Sequence, residues 1–363
     1  MLPLPPGLAP LDDLDGAWAR PHHGDQLHEV RRAAERVRER FASGPRCLAL
    51  RTLPLTTLPY PTRFAFGGMC KHPAPFVTLA HRCLLVQFLQ AGEPKTLLFN
   101  PTDLEGARDA PYPRRVAARF GPRITDALVK RFRPLEEQLG ALGLATGDVD
   151  YVAFDHFHLQ DLRRLLGVTG GDAASRFPNA VLLAPRIEWE DWDDLHPLQR
   201  PWFVPDGKKA VRTERVVLLE GDVALGDGVM LLRTPGHTAG NQTLFVHTHS
   251  GVWGTSENGT AADSWSPLES RIRGLRASAR LLDLEVAMNA NTPEFAARHY
   301  TSMILERTIV DRVRRAPGFA QMFPSSEVVP SVLAPGLAPT LLHAAISSGE
   351  IVRPARGRRR EAA

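Results

Sequence analysis

The sequence predicts a layered α/β protein, and three observations carry that expectation. Short apolar runs with strand character alternate along the chain with runs whose apolar residues recur every three or four positions. Glycine- and proline-containing turns close most of the short runs. The residues best suited to chemistry, His156, His158, His237 and Glu257, each follow the end of a predicted strand. That is where an α/β sheet gathers functional side chains from distant parts of the chain.

Length and charge set the bounds. The 363 residues suffice for one large domain with additions or for two modest ones. Lys and Arg number 44 against 40 Asp and Glu, a net charge of +4. Much of that excess lies in "RPARGRRREAA" (353–363), with five arginines and one glutamate, which reads as a solvated end rather than a nucleic-acid arm. No run approaches 18 uncharged apolar residues, and the start has no basic segment followed by a long apolar one. Three cysteines, Cys47, Cys70 and Cys83, form no CxxC pair, which fits a reducing compartment. The expectation is a soluble cytoplasmic protein acting on a small molecule, with no nucleic-acid or membrane partner. Its additional helices leave room for a homodimer contact.

Residues 1–23 are proline-rich and read as an irregular lead-in. Between Asp25 and Phe41, Leu27, Val30, Ala34, Val37 and Phe41 fall on one helical face. "FVTLAHRCLLVQFL" and "AGEPKTLLFNPTDL" read as two strands around a Gly-Glu-Pro turn. Residues 124–144 read as a helix with Gly143 near its C-terminal cap. "DVDYVAFDHFH" is a strand that runs into a loop, and "RFPNAVLLAPRIEWEDW" is a turn, a strand and a short helix. Residues 215–259 hold four short strands. Residues 293–323 look helical, and 324–363 an extended arm with one short helix near "TLLHAAISSG". The expected units are a lead-in and helix (1–45), a main domain (46–292) and a C-terminal helical extension (293–363).

His156 and His158 stand two apart, so on a strand both imidazoles point the same way and can share one cation. His237 follows Gly236 in "TPGHTAG", a turn that presents its ring. Glu257 follows the strand "GVWGTS". Asp155, next to His156, either caps the turn or steadies an imidazole. Trp189 and Trp192 read as packing, the "HTH" at 247–249 as strand, and Asn241 as a loop hydrogen-bonder.

Taken in order, "LGLATGDVDYVAFDHFH", "FPNAVLLAPRIEWEDW", "TPGHTAG" and "VWGTSENG" resemble the metallo-β-lactamase superfamily, nearest its N-acyl-homoserine-lactonase-like branch. The resemblance covers roughly residues 62–292 and implies a four-layer αββα sandwich. It also implies metal-dependent hydrolysis of a small ester, thioester, lactone or amide. The family's HxHxDH motif would need Asp at 160 and His at 161, where this chain has Gln160 and Asp161. Ser256–Glu257 stands where the bridging aspartate follows a strand, and Asn291 where the last histidine is usual; His299 nearby falls in a helical stretch. The implied ligands are His156, His158 and His237, with Asp161 and Glu257 as further ligands or as the groups that orient and deprotonate water. One divalent ion is expected, Zn first and Fe or Mn as alternatives. A mononuclear non-haem iron oxidoreductase using His156, His237 and Glu257, or a binding protein that keeps only the fold, are the other readings.

Overall fold

A computed structural model describes residues 1–171 and 175–353. Its strands are β1 (Ala9–Leu11), β2 (Ala49–Pro61), β3 (Phe76–Gln90), β4 (Glu93–Phe99), β5 (Tyr151–Ala153), β6 (Val181–Pro185), β7 (Val216–Leu219), β8 (Asp222–Gly226), β9 (Val229–Arg233), β10 (Gln242–Thr248), β11 (Gly251–Ser256), β12 (Met322–Pro324), β13 (Ser326–Val329) and β14 (Ser347–Gly349). One sheet runs β14-β2-β3-β4-β5-β6-β7, with β13 also paired to β3. The other runs β1-β8-β9-β10-β11-β12. In the first sheet β2, β3 and β4 are antiparallel, and β4 to β7 are parallel. Parallel neighbours need crossovers, which the segments after β4, β5 and β6 supply.

The side-chain period of a strand builds the layers. On β3, Leu84, Val86 and Phe88 point between the sheets, where they meet Val229, Leu231, Leu244 and Val246 of the second sheet. Cys83 and Leu85 point outward against Leu135 and Leu139 of the helix Leu135–Ala141 and Trp189 of the helix Arg186–Asp191. On the second sheet Met230, Leu232 and Phe245 point outward against the helices His23–Ser43 and Ala296–Ile309. Helices thus cover both outer faces, and the architecture is the αββα sandwich. Both faces of β3 are buried, which is why it reads as a nearly continuous apolar run instead of an alternating one.

Several expectations change. β2 escaped notice because Pro54, Pro59 and Pro61 argue against a strand. Its pairing with β14 ends at Arg51, so these prolines have β3 on one side and no long strand on the other. The lead-in contributes β1, which pairs with β8. The helix expected at 124–144 breaks at Pro134 into Pro122–Ala127 and Leu135–Ala141; Gly143 follows the second piece with φ +80°, as a C-terminal glycine should. Five strands, not four, fill the region from Val216 to Ser256. The helix after residue 293 ends at Ile309, and "TLLHAAISSG" yields β14 rather than a helix.

The C-terminal region is no appended arm. β12 pairs with β11 and β13 with β3, so residues 322–329 complete both sheets. Val30, Ala34 and Val37 of the N-terminal helix pack with Met303, Ile304 and Leu305 of the helix Ala296–Ile309. The expected boundaries at 45/46 and 292/293 therefore fall inside one packed unit. The basic tail lies outside the described residues from 354 onward. No described helix is long and apolar enough to cross a membrane.

Phe323 on β12 is 1% exposed and packs between the sheets. Phe323→Ala should cost about 3–5 kcal/mol in a urea melt, the range for emptying a packed aromatic site. A cost below about 1 kcal/mol would show that the C-terminal strands are peripheral.

Candidate metal centre

β5 stops at Ala153, and the chain turns through Asp155, His156, Phe157 and His158. Phe154 and Phe157 are buried in the outer core, which anchors this loop and leaves the His156 and His158 imidazoles to its other side. Leu159 closes the turn at φ +60°. His237 comes from the loop between β9 and β10. Gly236 there has φ +152°, and a Cβ on it would lie 2.2 Å from the His299 backbone, so only glycine allows the approach.

One buried carboxylate joins the two loops. Glu188 Oε1 accepts the Phe157 N–H at 2.8 Å, while its Oε2 accepts the Thr238 hydroxyl at 2.6 Å and the Gly240 N–H at 3.2 Å. Glu188 is 1% exposed, and a Cβ on Gly240 would lie 2.5 Å from Glu188 Cβ. The donors come from residues adjoining the histidines, so this side chain sets the distance between the halves of the site.

The three imidazoles converge. Ring centroids lie 4.5 Å apart for His156–His158 and His156–His237, and 4.8 Å for His158–His237. One nitrogen from each falls within 4.8 Å of the others. His158 Nδ1 and His237 Nε2 are 3.1 Å apart. Outer partners select which nitrogen faces inward. Asp155 Oδ1 lies 2.7 Å from His156 Nδ1, which leaves Nε2 for the centre. Gln199 Oε1 lies 2.5 Å from His158 Nε2, which leaves Nδ1. Asp155 also accepts from Ser325 Oγ at 2.5 Å and Asn100 Nδ2 at 3.1 Å. Burial, then the neighbouring His156 ring, hold His158 and His237 well below the usual imidazole range. Burial would raise Asp155, but the His156 ring and three hydrogen-bond donors outweigh it and hold the carboxyl below its usual range.

The remaining expected site residues divide. Glu257 reaches the same cavity, with Oε2 accepting the Ser326 N–H at 2.9 Å. It is not among the groups whose ligand atoms converge. Burial and the Asp155 charge push its carboxyl well above the usual range. Asp161 departs from expectation. Its Oδ1 accepts from Arg163 Nε at 2.9 Å and its Oδ2 from Arg163 Nη2 at 2.5 Å, and it does not line the cavity. Gln160 lines the cavity instead. Asn291 lines it too. His299 packs behind His237, its Nε2 2.8 Å from the Asn258 carbonyl, and is no ligand. Trp189 and Trp192 belong to the core, and Asn241 binds Thr234 within its loop. His247 of the second HxH contacts the Pro45 carbonyl instead of the cavity.

Four residues were given no role at the site from the sequence: His81, Glu188, Gln199 and Ser325. His81 lies between Thr102 Oγ1 at 2.8 Å and Ser326 Oγ at 3.0 Å on the cavity wall. A histidine inside the apolar run "FVTLAHRCLL" was the one signal available, since a polar residue buried in a strand needs partners. Glu188, Gln199 and Ser325 offered none; their partners are 31 or more positions away. The cavity holds about 380 Å³, and Leu58, Tyr60, Leu79, Tyr112, Val116 and Trp202 form its apolar side.

The fold is a four-layer αββα sandwich with three converging histidines beyond its strand ends, the arrangement that the resemblance to the metallo-β-lactamase superfamily implies. No family model matches the chain. It is 32% identical over 120 residues to an N-acyl homoserine lactonase of Rhizobium radiobacter, covering 30% of this chain and 40% of the relative. It is 28% identical over 110 residues to an N-acyl homoserine lactonase of a Bacillus species, covering 30% and 38%. The chain thus spans only 38–40% of the length of these relatives. A probable metal-dependent hydrolase from Staphylococcus aureus superposes with TM-score 0.49 at 13% identity, covering 71% of this chain and 83% of that one. A quorum-quenching N-acyl homoserine lactone lactonase does so with TM-score 0.42 at 20% identity, covering 66% and 88%.

Burial pushes His81 and His299 down to about 4. Both are neutral when folded and titrate near 6.5 when unfolded, so the unfolded chain binds more protons between these values. The stability they support is complete above pH 6.5 and falls as the pH drops toward 4. Chemical melts of His299→Gln should lose about 2 kcal/mol less than the parent between pH 6.5 and 4.5. An unchanged slope would mean that His299 is not buried in its neutral form.

Proposed function

We propose that the protein is a metal-dependent hydrolase that opens a small ester, thioester, lactone or amide with an activated water. The observation that carries this reading is the convergence of His156 Nε2, His158 Nδ1 and His237 Nε2, with Asp155 and Gln199 holding two of the rings. Ligands about 2.0–2.1 Å from a tetrahedral cation stand about 3.3 Å apart, close to the spacing of the His158 and His237 nitrogens. Imidazoles with carboxylate or amide partners behind them suit Zn²⁺ best, with Fe²⁺ or Mn²⁺ as alternatives. A cation held there supplies a Lewis acid for the scissile carbonyl and a water acidic near neutrality.

The chain's own groups then have distinct tasks. Asp155 is committed to His156, which leaves Glu257 as the other buried carboxylate on the cavity wall. Its raised pKa suits a group that takes a proton from water and returns it to the leaving group. Asp161, held by Arg163, has no part in the step. The apolar side of the cavity accommodates an acyl chain, so the N-acyl homoserine lactones named for the relatives are the first substrates to test. The iron oxidoreductase reading needs His156, His237 and Glu257 as one facial set, and the converging set is three histidines instead. A remnant that keeps only the fold would have no need of two rings locked with ligand nitrogens inward.

We expect about one equivalent of bound metal per chain by elemental analysis, because Gln160 and Asn291 offer amides in place of a second set of ligands. His156→Ala combined with His237→Ala should abolish binding. Two tightly held equivalents would overturn the single-ion reading. In the same assay Asp161→Ala should keep its metal affinity within about twofold of the parent, as its buried carboxylate is paired with Arg163 outside the cavity. Glu257→Gln should keep the metal and lose about 100-fold or more in lactone or ester turnover, the usual loss for a proton-transfer group. Full activity in Glu257→Gln would remove it from the mechanism.

A further inference from the structure

The cavity wall carries two amides that the hydrolytic reading does not use. Gln160 is 5% exposed and Asn291 8% exposed, and both line the cavity of the three histidines. Gln160 Nε2 donates to Thr102 Oγ1 at 3.1 Å and to the His158 carbonyl at 3.2 Å. These contacts settle the amide's orientation, since turning it over would set Oε1 against the His158 carbonyl oxygen. Oε1 is then left buried with no donor from the described residues. Asn291 Oδ1 is likewise buried without a donor. Its neighbour Thr292 donates to the His237 carbonyl at 2.6 Å. One amide is thus tethered beside His158 and the other beside His237, so they flank the centre from two loops.

A buried acceptor without a donor is unfavourable, and a ligand that brings a donor gains by meeting it. A site built to hydrogen-bond a ligand group discriminates strongly against an analogue that lacks it. Neutral amides also differ from carboxylates here: they accept a hydrogen bond without attracting a cation.

We propose that Gln160 and Asn291 form a polar subsite beside the histidine centre that selects ligands carrying an N–H or O–H close to the reacting carbonyl. Gln160 Oε1 is the fixed acceptor. Asn291, with no side-chain hydrogen bond among the described residues, presents a second amide that turns to suit the ligand. The apolar side of the cavity takes the remainder of the molecule. The subsite rests on the proposed carbonyl-directed chemistry for its register, but its binding preference is measurable without turnover.

Two non-hydrolysable ketones separate the effects: N-(2-oxopropyl)butanamide and octane-2,5-dione, which replaces the N–H with CH₂. Calorimetry on the zinc-loaded protein should show the amide binding about tenfold or more tightly, the value of one well-made buried hydrogen bond. Gln160→Met combined with Asn291→Leu, near-isosteric changes, should bring the two affinities within about twofold. Circular dichroism and zinc content unchanged from the parent would show that the variant is folded and loaded. Equal affinities in the parent, or a preference that survives both substitutions, would overturn the subsite. The phenyl esters of the same pair, N-butanoylglycine phenyl ester and phenyl 4-oxoheptanoate, test the chemistry. Binding preference without hydrolysis of either ester would sink the hydrolase and leave the subsite standing. Hydrolysis of both esters at equal kcat/KM would sink the subsite and leave the hydrolase.

Discussion

The structure around the centre depends on one constraint: three buried imidazoles from two distant loops must be held together. Glu188 meets that constraint. Its two oxygens take donors from Phe157 and from Thr238 and Gly240, and so fix the loop of His156 and His158 against the loop of His237. A carboxylate with fewer donors would be costly to bury there. The need for close approach explains the glycines on either side of His237, at 236 and 240.

The electrical state of the rings falls to their surroundings. Burial keeps His158 and His237 from protonating, which frees their lone pairs. Asp155 and Gln199 then decide which lone pair points inward. Asp155 is itself held by Asn100 at the end of β4 and by Ser325 between β12 and β13. The centre is therefore tied to both sheets, and the C-terminal strands are part of its support. That linkage gives a physical reason for the chain after residue 293 to fold into the sandwich.

The half of the site next to this centre has a different character. Gln160, Asn291 and His81, whose pKa burial lowers to about 4, form a wall without ionised groups. Such a wall favours hydrogen-bonding ligands over a second cation, and the apolar side opposite favours an organic tail. The proposed chemistry at the histidines and the proposed recognition at the amides thus fall on the wall of one cavity.

Much of this was legible in the chain itself. The pair His156 and His158, the turn of His237, and strand and helix periods along the core are local patterns, and local geometry translates them directly. The layers were legible because strand-like and helix-like runs alternate along the chain. Local pattern misled at β2, where prolines tolerated beside an open edge disguised a strand. It misled at Asp161, where one carboxylate beside an arginine formed an ion pair and Gln160 lined the cavity. The sequence by itself determined the α/β class and set His156, His158 and His237 beyond strand ends, while the four-layer sandwich and the shared ligand role came from the resemblance to a known superfamily. Only the tertiary structure decided the roles of Glu188, Gln199, Ser325 and the C-terminal strands, because their partners lie 31 to 251 positions away and no local period records a contact of that range.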